Sequence, residues 1–250
     1  MTLKPDIFLS YIDAMLREHV DPALSSYFTD LAQKSSYQLI GVRAPHVRQI
    51  ANTSFREFKA HSIKDIDSIL NYCDYLLAQR VSEYRTIAFQ WSFKCKKQFQ
   101  PKHFEIFERW LKTYVTGWGS CDDFCTHTLG HFLLEYPEFI PQVKVWTSSN
   151  NNWIRRASAV IFIYAIRRGE YLAHIFEVAD KLLNDSDIYV LKGYGWMLKE
   201  ASNLFQNQVF QYVVKHKDPM PRVSLRLHIS RATLPRPTQA RTAGWGCFHS

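Results

Sequence analysis

The chain has 250 residues, 46% of them hydrophobic and 22% charged, which is enough to bury a large core and excludes wholesale disorder. Its longest apolar run, Ala157 to Ile166, is far short of the roughly 20 residues of a membrane span, and Met1 to Val20 carries charges throughout, so a cytoplasmic protein without a signal peptide is expected. The net charge of +8 is uneven, with 17 bases and 16 acids in residues 1–150 against 14 and 7 in residues 151–250.

Apolar residues recur at helical spacing from the start of the chain. Helices are predicted over Pro5–Val20, Asp21–Lys34, Pro45–Lys59, Ile63–Leu77, Val81–Lys96 and Pro101–Val115. They continue over Ser120–Glu135, Pro137–Thr147, Asn152–Arg168, Glu170–Leu183, Asp187–Ser202, Leu204–His216 and Pro221–Ala232. Pro45, Pro101 and Pro221 stand where a first helical turn tolerates proline, and Asp185 or Ser186 is placed to cap the helix carrying Lys192. Nothing alternates at period two for long, and nine glycines with ten prolines are too few for many tight turns, so the fold is predicted to be all-α. Five cysteines, a small and odd number, point to free thiols in a reducing compartment.

The helices also repeat. Arg85, Asp122, Arg156, Lys192 and Arg226 end equivalent segments spaced 37, 34, 36 and 34 residues apart, the period of a stacked α-solenoid of HEAT-like helix pairs. Equivalent positions on second helices line one concave face, so four cations would surround one carboxylate. A basic C-terminal part with interleaved aromatics suits a polyanion such as nucleic acid; a solvated basic face without a partner is the alternative.

On Asp187–Ser202, the residues Val190, Tyr194, Met197 and Ala201 form a core stripe, with Lys192, Trp196 and Lys199 opposite. Trp196 then either faces a groove that receives a cationic base or a sugar–phosphate backbone, or lies covered by a neighbouring helix pair. Cys121, Cys125, His127 and His131 invite a zinc reading, but on one helix the cysteine and histidine pairs point about 80–160° apart, whereas four ligands must converge. No metal site is expected. Asp122-Asp123 near Trp118 is the one acidic doublet beside an aromatic, and first-turn acids facing a helix dipole would explain it equally well. Asp123 lies about 100° round the helix from Asp122 and is expected to aim elsewhere.

Three segments, Trp118-Gly119-Ser120-Cys121-Asp122, Trp153-Ile154-Arg155-Arg156-Ala157 and Lys192-Gly193-Tyr194-Gly195-Trp196-Met197-Leu198-Lys199-Glu200, resemble in order three signatures of the AlkD-like DNA alkylation repair family. Those signatures are roughly W-x-x-x-D, W-x-x-R-A and K-A-I-G-W-x-L-R-E. Gly41-Val42-Arg43-Ala44-Pro45 is similar to the family's N-terminal turn, and Met220 to Arg226 to its last helix start. The resemblance spans residues 5–232. It implies a monomeric HEAT-like solenoid with a concave basic groove. It also implies a monofunctional DNA glycosylase that removes cationic N3- or N7-alkylated purines from double-stranded DNA without metal or organic cofactor. The family is understood to work from the backbone side of a lesion left in the stack, which fits the lack of a base-pocket motif here. Asp122 matches the carboxylate that would stabilise an oxocarbenium-like sugar and orient water. Trp118 and Trp196 match the aromatics that would pack on that sugar. Arg156 matches a phosphate-holding arginine, and Lys192, Lys199, Arg43, Arg85 and Arg226 complete the expected DNA contacts.

The chain departs from the family where Gly193-Tyr194 replaces a small–aliphatic pair, and near Ala32, where some members place an aromatic. Residues 233–250 match nothing and read as a mobile tail. A non-catalytic solenoid binding bent, branched or damaged DNA is the rival reading, and a protein-scaffold HEAT array is the third.

Overall fold

The computed structural model describes residues 5–24, 37–61 and 65–224. Among these, the only non-helical pairings are the isolated bridges Val20–Val42 and Gln38–Val81, so the fold is all-α. Helices α1 (Pro5–Arg17), α2 (Ala44–His61), α3 (Ile66–Ala78), α4 (Ser82–Lys94) and α5 (His103–Tyr114) match the predicted stretches within a few residues. Of the predicted helix Asp21–Lys34 only 21–24 is described, helical over 22–24, and of Pro221–Ala232 only 221–224, helical over 222–224. The rest of those stretches, Ala32, Arg226 and the tail lie outside the described residues.

Three predicted single helices are subdivided. Ser120–Glu135 becomes α6 (Trp118–Phe124), a π turn (Cys125–Leu129) and α7 (Gly130–Glu135). Pro137–Thr147 is α8 (Ile140–Val145) between two 3₁₀ turns. Asn152–Arg168 divides into α9 (Asn152–Val160) and α10 (Ile163–Ile166). After these come α11 (Leu172–Leu182), α12 (Ile188–Ser202) and α13 (Gln206–Lys215). The cap of α12 is a correction: Asp187 accepts the amides of Tyr189 and Val190 at 2.7 and 3.2 Å, while Asp185 clamps Arg155.

Helices pair in sequence order, and the second members stack as a row: α2 on α4, α4 on α6, α6 on α9, α9 on α12. One continuous core runs through all of them, including Trp91, Phe107, Trp110, Phe124, Phe132, Phe162 and Tyr194. The subdivision at residue 130 has a steric cause. A Cβ on Gly130 would come within 2.5 Å of Tyr164 Cβ and 2.6 Å of the Cys125 carbonyl oxygen, so α7 approaches α10 at a distance only glycine permits.

Candidate functional site

The row of second helices leaves a cleft of about 890 Å³ lined from α2 by Arg48, from α4 by Arg85, and from α6 and the π turn by Trp118, Asp122, Asp123 and His127. Its N-terminal wall is set by an unusual cap. Buried Glu83 accepts the backbone amides of Ile40, Gly41 and Val42 at 2.9–3.2 Å, and Gly41 sits at φ 96°, a conformation that favours glycine. This turn fixes where α2 starts and so where Arg48 stands.

Trp118, at the first position of α6, is 58% exposed. Asp122, one turn later, faces α9. Its two oxygens accept from Arg156 Nε and Nη2 at 2.9 and 2.8 Å, a parallel fork. Arg156 Nη1 donates to the Tyr189 carbonyl oxygen at 2.5 Å, so three of its nitrogens are held. The pair is largely withdrawn from water, with side-chain exposures of 6% for Arg156 and 18% for Asp122. Burial pushes the Asp122 carboxyl above the usual carboxylate range, and the guanidinium draws it part of the way back.

Gly193 explains how Arg156 fits. A Cβ there would lie 3.1 Å from Arg156 Cγ and 3.3 Å from Nη1, so α12 leaves room for the arginine that holds Asp122. Lys192 beside it is exposed, with Nζ 5.7 Å from the Tyr189 ring centre. Trp196, one turn further, is half-buried against the core and donates from Nε1 to Glu200 at 2.9 Å. It is therefore neither fully open to a groove nor fully covered. Lys199 is also partly buried.

The sequence row thus converges in part. Trp118, Asp122 and Arg85 share the cleft, and Arg156 joins them through Asp122. Arg85 is half-buried, its guanidinium 4.1 Å from the Tyr37 ring centre and bonded to the Tyr114 carbonyl oxygen. Arg43 does not line the cleft and pairs with Asp21 at 2.6 Å. Asp123 aims elsewhere than Asp122, as expected, although both line the cleft. Asp122 turns toward the following repeat and Asp123 toward the preceding one, where Gln90 Nε2 lies 3.3 Å away. Arg48 and His127 were not anticipated. Arg48 had a signal, since it precedes Arg85 by 37 residues and extends the same row backwards.

The cleft cations Arg48 and Arg85 belong to the nearly neutral first 150 residues. In the basic C-terminal part, Arg155, Arg156 and Arg167 are neutralised by Asp185, Asp122 and Glu200. Cys121 and Cys125 are fully buried free thiols. No described helix is long and apolar enough to cross a membrane.

A family profile described as "DNA alkylation repair enzyme" matches residues 12–230. Among solved structures, the chain is similar to a predicted DNA alkylation repair enzyme from Enterococcus faecalis, at 12% identity and a TM-score of 0.72, covering 85% of this chain and 96% of that one. It is also similar to AlkD2 from Streptococcus mutans, at 18% identity and a TM-score of 0.55, covering 84% and 100%. A further structure, smu.31 from Streptococcus mutans UA159, matches at 18% identity and a TM-score of 0.54, again covering 84% and 100%. At such identities the structural likeness establishes the fold. No curated protein matches the sequence.

Proposed function

This chain belongs to the DNA alkylation repair enzyme family, and from that premise we propose that it hydrolyses the N-glycosidic bond of cationic N3- or N7-alkylated purines in duplex DNA, as a monofunctional glycosylase. The observation that carries the reading is a carboxylate held by a buried arginine beside an exposed tryptophan in a cation-lined cleft.

As the C1′–N bond breaks, positive charge develops on the deoxyribose. Asp122 presents fixed negative charge to it in a site with little water, where such an interaction is stronger than in bulk solvent. The face of Trp118, and the open part of Trp196, favour the same cationic sugar. Arg48, Arg85 and Lys192 meet phosphates on either side of the lesion, with Lys199 further along α12. Arg156 takes a different part from a simple phosphate contact. With three nitrogens engaged inside the protein, it acts as the positioning residue for Asp122, and only its remaining N–H groups are left for DNA.

One observation favours the rival reading of a non-catalytic DNA-binding protein: both Asp122 oxygens are already engaged by Arg156. Incubation of the pure protein with duplex DNA containing N7-methylguanine, followed by assay of the free base, separates the two. Base release above the spontaneous rate supports hydrolysis; tight binding without release supports the binder and overturns the glycosylase.

A further inference from the structure

The cleft contains a second polar pair that the roles above leave unused. Asp123 and His127 stand one turn apart on the segment that carries Asp122. His127 Nδ1 lies 2.8 Å from the Asp123 carbonyl oxygen, 3.6 Å from the Asp123 carboxylate and 3.3 Å from Thr126 Oγ1. A carbonyl oxygen can only accept, so Nδ1 carries the hydrogen and the neutral ring keeps its lone pair on Nε2. With Nδ1 turned back to its own helix, Nε2 is the ring nitrogen left for the cleft that this 41% exposed side chain lines. Phe93 packs edge-on at 5.3 Å and fixes the ring plane.

The π turn helps to place this pair. Thr126 Oγ1 donates to the Asp122 carbonyl oxygen at 2.7 Å, and His127 Nδ1 to that of Asp123, so two side chains serve carbonyls where the α ladder is interrupted. Such turns recur at functional sites, and here the interruption lies just after the acidic doublet. The charged groups around the imidazole are Asp122 and Asp123 from its own segment, Arg85 from α4 and Arg48 from α2.

Resting on the glycosylase reading above, we infer that His127 is the base that takes the proton from the attacking water, with Asp123 as its positioning residue. The balance of the reaction leaves one proton to be collected. When the C1′–N bond breaks, its electron pair returns to the cationic purine, which leaves neutral and needs no proton. The water oxygen bonds to C1′ and sheds one proton. Each Asp122 oxygen already accepts one bond from Arg156, which leaves the imidazole of His127 as the less encumbered acceptor in the cleft. Nε2 of His127 takes the proton, the imidazolium is stabilised by Asp123, and the proton then passes to solvent. Adjacent carboxylates divide the work: Asp122 meets the sugar charge, and that of Asp123, 3.6 Å from Nδ1, stabilises the imidazolium.

The test is single-turnover release of N7-methylguanine from duplex DNA, from about pH 5 to 9, for wild type, His127→Asn, His127→Gln and Asp123→Asn. The asparagine nitrogen can still donate to the Asp123 carbonyl, so that variant keeps the helix contact and loses only Nε2. Thermal midpoint and DNA affinity check the fold. The wild-type rate should rise with pH to a plateau, because only a deprotonated base collects the proton. Both histidine variants should lose that rise and about 10²-fold in rate on the plateau. Asp123→Asn should lower the plateau rate several-fold while DNA affinity holds, because the imidazolium loses its negative neighbour. A histidine variant that retains the rise, or the wild-type rate, overturns the assignment. If neither histidine variant folds, a wild-type rate in Asp123→Asn overturns it. A wild type inactive on every alkylated duplex removes the glycosylase reading and this role together, whereas an active wild type with unaffected variants removes only the role of His127.

Discussion

Asp122→Asn separates what the carboxylate does for the reaction from what it does for the fold. The exchange keeps the shape, removes the charge, and turns one of two acceptors into an NH₂ facing an Arg156 donor at 2.8 or 2.9 Å. Removing one partner of a buried ion pair costs about 3–5 kcal/mol. Here Asp122 keeps 18% exposure and the Tyr189 carbonyl still holds Arg156, so the loss should be about 2–3 kcal/mol. For a chain of this size that is a fall in midpoint of about 5–10 °C, leaving the protein folded at 25 °C. The barrier to base release should rise by about 2.7–4 kcal/mol, or 10²–10³ in rate, while DNA affinity holds or rises slightly, since a carboxylate repels phosphate. Single-turnover excision of N7-methylguanine and thermal melts, run on the same preparation, measure both effects. Adding Arg156→Gln to Asp122→Asn gives a neutral pair that should recover part of the stability and none of the rate. Wild-type excision by Asp122→Asn, with wild type clearly active, would remove Asp122 from the mechanism. An unchanged midpoint would refute the energetics assigned to the pair.

Trp118→Ala should leave the midpoint nearly unchanged, because the ring is 58% exposed, while excision falls; equal excision would sink its role. Trp196→Ala should cost less than the roughly 3–5 kcal/mol of a fully buried tryptophan and should weaken excision more than folding; a collapsed denaturation midpoint would make Trp196 a core residue. Gly193→Ala ordinarily gains about 1 kcal/mol of helix stability, but the added Cβ meets Arg156 at 3.1 Å. We expect that gain to be lost and excision to fall several-fold, and a stabilised variant of full activity would contradict the packing argument. Duplex affinity should fall with salt at a log–log slope of about −0.9 per phosphate contact, and a flat response between low and physiological ionic strength would exclude a phosphate-dominated interface.

The repeat was legible because each helix pair must bury the same face, so apolar periodicity and the 34–37-residue spacing of the row survive in the sequence. Asp122 stood in that row, whereas Trp118 was legible through the resemblance of the segment Trp118–Asp122 to the family's first signature. The partners of the row were less so. That Arg156 faces inward to Asp122, and not outward to a ligand, depends on the missing Cβ of Gly193 in a different helix. Asp123 points away from Asp122 as its angle on the helix requires, but angular reasoning on one helix does not show that both still line the cleft, because α6 meets Gln90 on the α4 side and Arg156 on the α9 side. His127 was read only as a poor zinc ligand. Its present setting depends on a π turn that apolar periodicity does not announce, although the closeness of α7 to α10 at Gly130 is its steric counterpart.

On the proposed function, the pairing of Asp122 with Arg156 resolves a conflict that any carboxylate in a DNA-facing cleft must meet. A free carboxylate at that depth would repel the phosphates that bring the substrate in, and its burial would favour the protonated, neutral form, which cannot stabilise a sugar cation. Arginine answers both difficulties. Its fixed charge cancels the carboxylate at the distance of the phosphates, yet the pair remains a dipole whose negative end, Asp122, lines the cleft with Trp118. It also opposes the upward push of burial on the Asp122 carboxyl. A buried ion pair is weak evidence of stability, because desolvation offsets most of its attraction. Its retention here, on an arginine held at three nitrogens and given space by a glycine of the next repeat, is better explained by orientation of the carboxylate than by support of the fold.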